Sequence, residues 1–468
     1  MVPSPSMPAE LFSEMTIRPV PREIKTSNTS SSREETRHKH SRSSYSDASP
    51  LVSRNNSLTF RPAKRPMTTP DKTIAVINAS GRQAASLIRV ATAVGYHVRA
   101  QLRNLEGVVA TEVATNPNVT VLRGELYTKE RPAERGQVDV TKNGPISGIG
   151  VNHGLISELF RGAQLAFINT TFYGDEQKIG EALAEAAKRA GIQHYVYSSM
   201  PDHHAYNEDW PSLPLWASKH KVEDFVRKLK LPATFVYTGI YNNNFTSLPY
   251  PLFCTELQPD GSWIWQAPFH PDAKLPWLDA EHDVGPAILQ IFKDGVKKWG
   301  GGRRIALAYE MLSPREACRF FTKGVGRPLR YVRGPIEVKV KIPEGYRCQL
   351  EALEELYRLG KDDPAQQPPY FGDAALEASC PGVALELWEG PRGLEEYANE
   401  VFPLEEQANG LTWMLDDDDG GVGGGGGSQD HSQAALSPAS EHPDSESEDD
   451  DDGLVMRGLK RDDEEWLA

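Results

Sequence analysis

Thr73-Ile74-Ala75-Val76-Ile77-Asn78 runs straight into Ala79-Ser80-Gly81-Arg82-Gln83-Ala84, and the reading of this stretch decides the fold. The first six residues form a short apolar run with β-branched members, ended by small polar residues, which predicts a buried strand. Beyond the turn, Gln83 to Val94 places Ala84, Leu87, Ile88 and Ala91 on one helical face, and Gly95 stops the helix. A strand, a tight turn and a helix in this order aim free backbone N–H groups of a helix N-terminus past the strand end, where a pyrophosphate can rest. Gly81 leaves the approach open and Ala84 permits close helix contact. Asn78 stands where such motifs normally carry their first glycine, so the signal comes from its place in the chain more than from its letters. Asn78, Ser80, Gly81, Arg82 and Gln83 are the candidate binding residues here; the plainer alternative is a purely structural turn.

Outward from this unit the alternation continues. Tyr96 to Leu102 predicts a second strand, Gly107 to Thr115 a helix and Val119 to Leu122 a third strand. Residues 129–152 turn to Pro, Gly and charge and are expected to form a surface insertion before a helix at Leu155 to Phe160. A strand at Leu165 to Thr170, a helix at Gln177 to Arg189, a strand at His194 to Tyr197, a helix near Lys219 to Leu229 and a strand at Thr234 to Tyr237 follow. Strands alternating with helices indicate a parallel sheet covered on both faces. Past Gly239 the rhythm loosens, and residues 240–415 are expected to build mainly a smaller α+β lobe over the carboxyl ends of the strands. Trp263, Trp265 and Trp277 are expected in its core, and Ser313-Pro314-Arg315-Glu316 marks a helix start.

Both ends of the 468-residue chain read differently. Residues 1–70 are rich in Ser, Pro and basic residues with almost no apolar periodicity, a basic arm expected to be disordered. The tail from Asp416 to Ala468 holds 17 acidic and 3 basic residues, which equals the net charge of −14 for the whole chain. It is expected to be a disordered acidic tail rich in Gly and Asp, solubilising or competing for a basic partner surface. The remainder is formally neutral, which argues against sequence-independent DNA binding by the body. Cys254, Cys318, Cys348 and Cys380 make no C-x-x-C pair, as for reduced thiols without a zinc framework. The start lacks a signal-peptide pattern and no apolar run reaches membrane-helix length, so cytoplasm and nucleus are the expected locations, with no membrane.

The end of the second strand bears on which dinucleotide is accepted. Sites strict for NAD usually place an acid there to hold the adenosine ribose, whereas this chain reads Arg99-Ala100-Gln101-Leu102-Arg103-Asn104. Arg103 can face a 2′-phosphate, which allows NADP; equally, it is a solvated surface residue.

Asn78 to Ala84, Phe167-Ile168-Asn169-Thr170-Thr171, Tyr197-Ser198-Ser199-Met200-Pro201-Asp202, Gly239-Ile240-Tyr241-Asn242-Asn243-Asn244-Phe245 and Trp277 to Val284 together resemble the NmrA-like family, an atypical branch of the short-chain dehydrogenases. The resemblance runs from about Lys72 to Leu415, passing over the insertion, and implies a Rossmann-type doubly wound parallel sheet. It further implies binding of NAD or NADP in their oxidised forms, association with a GATA-type zinc-finger activator such as AreA, and negative regulation of nitrogen-responsive transcription. By the same resemblance Asn169, Thr170, Thr171, Lys219, Tyr241, Asn242 and Asn244 join the cofactor site. A monomer is the expected state.

Active dehydrogenases of the wider family carry Tyr-x-x-x-Lys, in which the tyrosine exchanges the proton. Here the segment is Leu215-Trp216-Ala217-Ser218-Lys219, so Leu215 occupies the tyrosine's place without an ionisable proton. Loss of a general acid removes roughly 10²–10⁴-fold in rate, and no catalytic residue is assigned. The rival reading is an NADPH-dependent reductase similar to the isoflavone reductases, using Lys219 as acid or base. His203-His204 is an alternative metal site but reads better as solvated histidines. A basic zinc finger calls for an acidic groove, and Glu281, Asp283, Glu395, Glu396, Glu405 and Glu406 are its candidates.

Overall fold

The computed structural model describes residues 72–128, 150–360 and 362–411. The arm at 1–70, the tail at 416–468 and residues 129–149 of the expected insertion lie outside the described residues. In chain order the first half comprises β1 (Thr73–Val76), α1 (Arg82–Ala93), β2 (His97–Leu102), α2 (Val108–Thr115), β3 (Val119–Arg123), β4 (Tyr127–Thr128), β5 (Gly150–Val151), α3 (His153–Leu159), β6 (Leu165–Ile168), α4 (Glu176–Ala190), β7 (His194–Ser199), α5 (Pro214–Lys228) and β8 (Ala233–Thr238). The second half holds β9 (Ile240–Tyr241), β10 (Thr255–Leu257), β11 (Trp263–Ala267), β12 (Leu275–Leu278), α6 (Ala280–Asp294), α7 (Val296–Trp299), β13 (Arg303–Leu307), β14 (Glu310–Leu312), α8 (Pro314–Val325), β15 (Leu329–Arg333) and α9 (Glu344–Arg358). Four short helices close the described chain: α10 (Ala374–Glu377), α11 (Gly382–Leu387), α12 (Leu394–Glu400) and α13 (Phe402–Ala408).

Seven parallel strands form the large sheet in the order β13-β8-β7-β6-β1-β2-β3. Successive side chains of β1 go to opposite faces, as strand geometry requires. Ile74 and Val76 join Leu87 and Ile88 of α1 and Val284 and Ile288 of α6, while Ala75 and Ile77 join Leu159 of α3, Leu183 of α4 and Val222 of α5. Strand order reverses between β1 and β6, so the crevice past their carboxyl ends is the place where such sheets bind ligands. β4 and β5 pair antiparallel, and Asn152 caps α3 by accepting from the Leu155 N–H; the expected insertion therefore has ordered flanks on its far side. Helix α5 starts at Pro214, earlier than the expected Lys219, because proline suits the first helical position.

Two elements from the stretch expected to be mainly second lobe return to the large sheet. β13 pairs with β8, and α6 lies on α1. At that crossing a Cβ on Gly285 would stand 2.3 Å from the Ser86 carbonyl oxygen, and the Gly285 N–H donates to Ser86 Oγ at 2.9 Å. The two backbones touch, so α1 and α6 behave as one block. The second lobe proper is built on the sheets β10-β11-β15 and β14-β12-β9. Trp263, Trp265 and Trp277 are fully buried there, with Phe245 stacked on Trp277 at 5.7 Å. Ser313 and Glu316 form the reciprocal cap of α8. Among the described residues no helix is long and apolar enough to cross a membrane.

Candidate functional site

The turn after β1 is held open by an asparagine in an unusual conformation. Asn78 has φ +47°, the left-handed region that, besides glycine, asparagine tolerates best. Its N–H donates to Gln101 Oε1 at 2.9 Å, and its Nδ2 donates across the switch point to the Asn169 carbonyl at 2.8 Å. The residue that departs from the glycine pattern thus supplies the glycine's backbone geometry and adds a tie between β1 and β6. Gly81 follows as the cap of α1; a Cβ there would come within 3.1 Å of the Asn78 carbonyl oxygen. No side chain caps α1 and no acid of the helix itself lies in its first turn, so its free N–H groups and positive dipole end can receive an anion.

A shallow cleft opens beside this turn. Asn78, Arg103, Thr170 and Thr171 line it, together with Gln101, Tyr127 and Tyr173, which the sequence reading did not single out. The Arg103 guanidinium lies 5.2 Å from the centre of the Tyr173 ring, positioned over an aromatic face at the cleft. Ser80 is half-buried in the turn itself.

Lys219 sits one layer deeper. Its Nζ donates to the Thr170 carbonyl and to Asn169 Oδ1 (3.4 Å), and it pairs with buried Glu176 at 3.0 Å. Glu176 also accepts from Thr170 Oγ1 at 2.7 Å and from Ser218 Oγ. Leu215, one helical turn before Lys219, packs against an apolar cluster with Tyr250, Ile342, Tyr346 and Leu350. The tyrosine next to this network, Tyr197, shares a 2.9 Å hydrogen bond with Thr170. Burial, then the nearby Glu176 carboxylate, push its hydroxyl pKa up, so it holds its proton.

Gln83 and the turn after β9 meet each other away from this cleft and do not line it. Gln83 Nε2 donates to the hydroxyl of Tyr241, whose pKa is also raised by burial. Asn242 is fully buried with neither amide atom hydrogen-bonded, and Gln83 Oε1 is likewise unpartnered. A buried polar atom left unsatisfied costs about 1–3 kcal/mol, so these are groups that a bound polar molecule would satisfy. Asn243 Oδ1 accepts from the Ala280 N–H at 2.9 Å, and Asn244 is half-buried at the end of the turn. An open helix N-terminus, a glycine cradle and unpartnered amides fit a dinucleotide.

A profile of the NmrA-like family matches residues 70–398. The chain belongs to the NmrA-like family. It is 76% identical to the nitrogen metabolite repression protein nmr of Neurospora crassa, covering 99% of this chain and all of that one. It is 53% identical to the nitrogen metabolite repression protein nmrA of Emericella nidulans, over 74% of this chain and 99% of the relative. The crystal structure of NmrA, a negative transcriptional regulator, matches with TM-score 0.65 at 55% identity, over 74% of this chain and 99% of that one. NmrA has also been solved in complex with NAD and with NADP.

In this member of the NmrA-like family several expected residues serve differently from their first reading. The Arg82 side chain is buried and bridges Glu281 and Glu405, so what α1 offers a phosphate at this position is its backbone. The expected acidic groove is corrected more sharply. Asp283 is fully buried, accepting from the Asp279 N–H at 3.1 Å and paired with His282 at 2.6 Å; Glu406 is buried on Thr246 and Ser247. These two carboxylates are internal struts, while Glu395 and Glu396 on α12 are exposed. His203 is buried with its pKa pushed down to about 4 by burial, while His204 is exposed. Among the described residues no group of three His, Cys, Asp or Glu side chains could hold a metal ion. Gln101 was missed, although a polar residue inside an apolar strand was a usable signal; Glu176 gave none beyond its place in a first helical turn.

Proposed function

We propose that this protein binds oxidised NAD or NADP in the crevice past β1 and β6 and represses nitrogen-responsive transcription by holding a GATA-type zinc-finger activator of the AreA kind, without turning over a substrate. The observation that carries the absence of turnover is Leu215: the position from which a phenol would exchange a proton holds an aliphatic side chain packed among Tyr250, Ile342 and Tyr346. Lys219 supports the same reading, since its ammonium is engaged by Glu176 and the Thr170 carbonyl. Binding is supported by the open N-terminus of α1, the unpartnered Asn242 amide and the NAD and NADP complexes of NmrA. Arg103 at the cleft supports acceptance of NADP beside NAD.

In this reading Asn78, Gly81 and the backbone of Arg82 and Gln83 receive the pyrophosphate, Lys219 orders the Thr170 carbonyl and the Asn169 amide beside the nicotinamide ribose, and the exposed acids of α12 face the basic finger. The protein works as a monomer in cytoplasm and nucleus and makes no direct contact with DNA. Titration calorimetry with NAD, NADH, NADP and NADPH, with and without a zinc-finger fragment, tests it. Heat with the oxidised forms and with the fragment is expected, along with background NADPH consumption on a panel of quinones and enones. Rapid NADPH consumption that disappears on altering Lys219 would instead establish a reductase of the isoflavone-reductase type.

A further inference from the structure

Arg82 is the first residue of α1, directly after the Gly81 cap, and its side chain is 5% exposed. A guanidinium this buried needs counter-charge. Glu281 in the first turn of α6, in close contact, and Glu405 of α13 at 3.3 Å both supply it. The two carboxylates belong to different bodies. α6 is locked onto α1 through Gly285 and Ser86, so Glu281 travels with Arg82. α13 is anchored in the second lobe, where Phe402 packs on Trp263 and Phe321 and Glu406 bonds Thr246 and Ser247.

We infer that the Arg82–Glu405 pair couples dinucleotide occupancy to the C-terminal helices α12 and α13, loosening α13 when phosphate arrives at α1. The inference rests on the dinucleotide binding proposed above. A pyrophosphate at the first turn of α1 competes with both carboxylates for the same partly desolvated positive charge. Glu405 is the one to yield: its contact is the longer, and the Tyr397 hydroxyl, donating to it at 2.8 Å, keeps it satisfied after release. α13 carries Leu404, 63% exposed, and follows directly on α12 with the exposed Glu395 and Glu396. The surface formed there is therefore tuned by the cofactor, and by linkage whatever binds that surface tunes cofactor affinity by the same factor.

Hydrogen–deuterium exchange on the full chain, with and without saturating NAD, reads the coupling directly. Faster exchange across residues 402–411 on NAD addition is expected. Glu405→Gln, which keeps the shape and the Tyr397 hydrogen bond, should abolish that response and tighten NAD binding roughly 5-fold, because Arg82 then has one counter-charge fewer. NAD binding with unchanged or slower exchange at 402–411 overturns the coupling and leaves the dinucleotide site standing. A response that persists at full size in Glu405→Gln also overturns it. Absence of any calorimetric NAD binding to the wild-type chain overturns the site and the coupling together.

Discussion

Helices α1 and α5 both bring functional groups to the switch-point crevice, one from each face of the sheet, yet their equipment differs. α1 offers a left-handed Asn78, a bare Gly81 and an uncapped first turn. α5 carries Lys219 wired into Glu176, Thr170 and Asn169, and Leu215 turned into an apolar cluster. If the proposed function holds, the difference teaches that recognition of a dinucleotide and proton transfer beside it are separable, because the first uses backbone geometry and the second one ionisable atom.

The comparison breaks most visibly at Lys219. Replacing it by Met leaves buried Glu176 without its cation, and a loss of about 3–5 kcal/mol in folding free energy is expected from denaturant unfolding; a loss below about 1 kcal/mol would mean the pair contributes little to α5. On the α1 side, Gly81→Val puts a branched side chain 3.1 Å from the Asn78 carbonyl oxygen and in the path of a phosphate. Calorimetry should show NAD affinity falling by about 2–3 kcal/mol, roughly a hundredfold. Leu215→Tyr sharpens the contrast: crowding the cluster should cost about 1–3 kcal/mol of stability and still give no NADPH oxidation above background. Measurable turnover in that variant would place the chain one residue from an enzyme. Smallest is the effect at Asn78, where Ala is expected to cost about 1–2 kcal/mol through left-handed strain and the lost bond to Asn169, and Gly less than about 1 kcal/mol. Equal costs for Ala and Gly would remove φ from the explanation.

Much of the large sheet was legible because its strands and helices announce themselves locally. The apolar run Thr73 to Ile77 and the Leu87/Ile88 stripe need no partner to be recognised. What escaped reading depends on distant residues. Nothing in Arg303–Leu307 says that its neighbour is β8 and not a strand of the second lobe, and nothing in Arg82 points to Glu281 or Glu405, far along the chain. The acids Asp283 and Glu406 looked like surface because charged residues usually are; their partners Asp279, His282, Thr246 and Ser247 fold them inward. The start of α5 was readable from Pro214 and was masked by neighbouring prolines and Trp216.

The late arrival of β13 has a consequence for how the molecule is made. β8 ends at Thr238, but the strand that covers its outer edge begins only at Arg303. On a translating ribosome that edge stays unpaired for on the order of several seconds while the intervening chain is synthesised. The nascent sheet is therefore open to wrong pairing during this interval. Cutting the gene between the sheet and the second lobe would make that exposure permanent, so the two halves are expected to be expressed, inherited and lost as one piece.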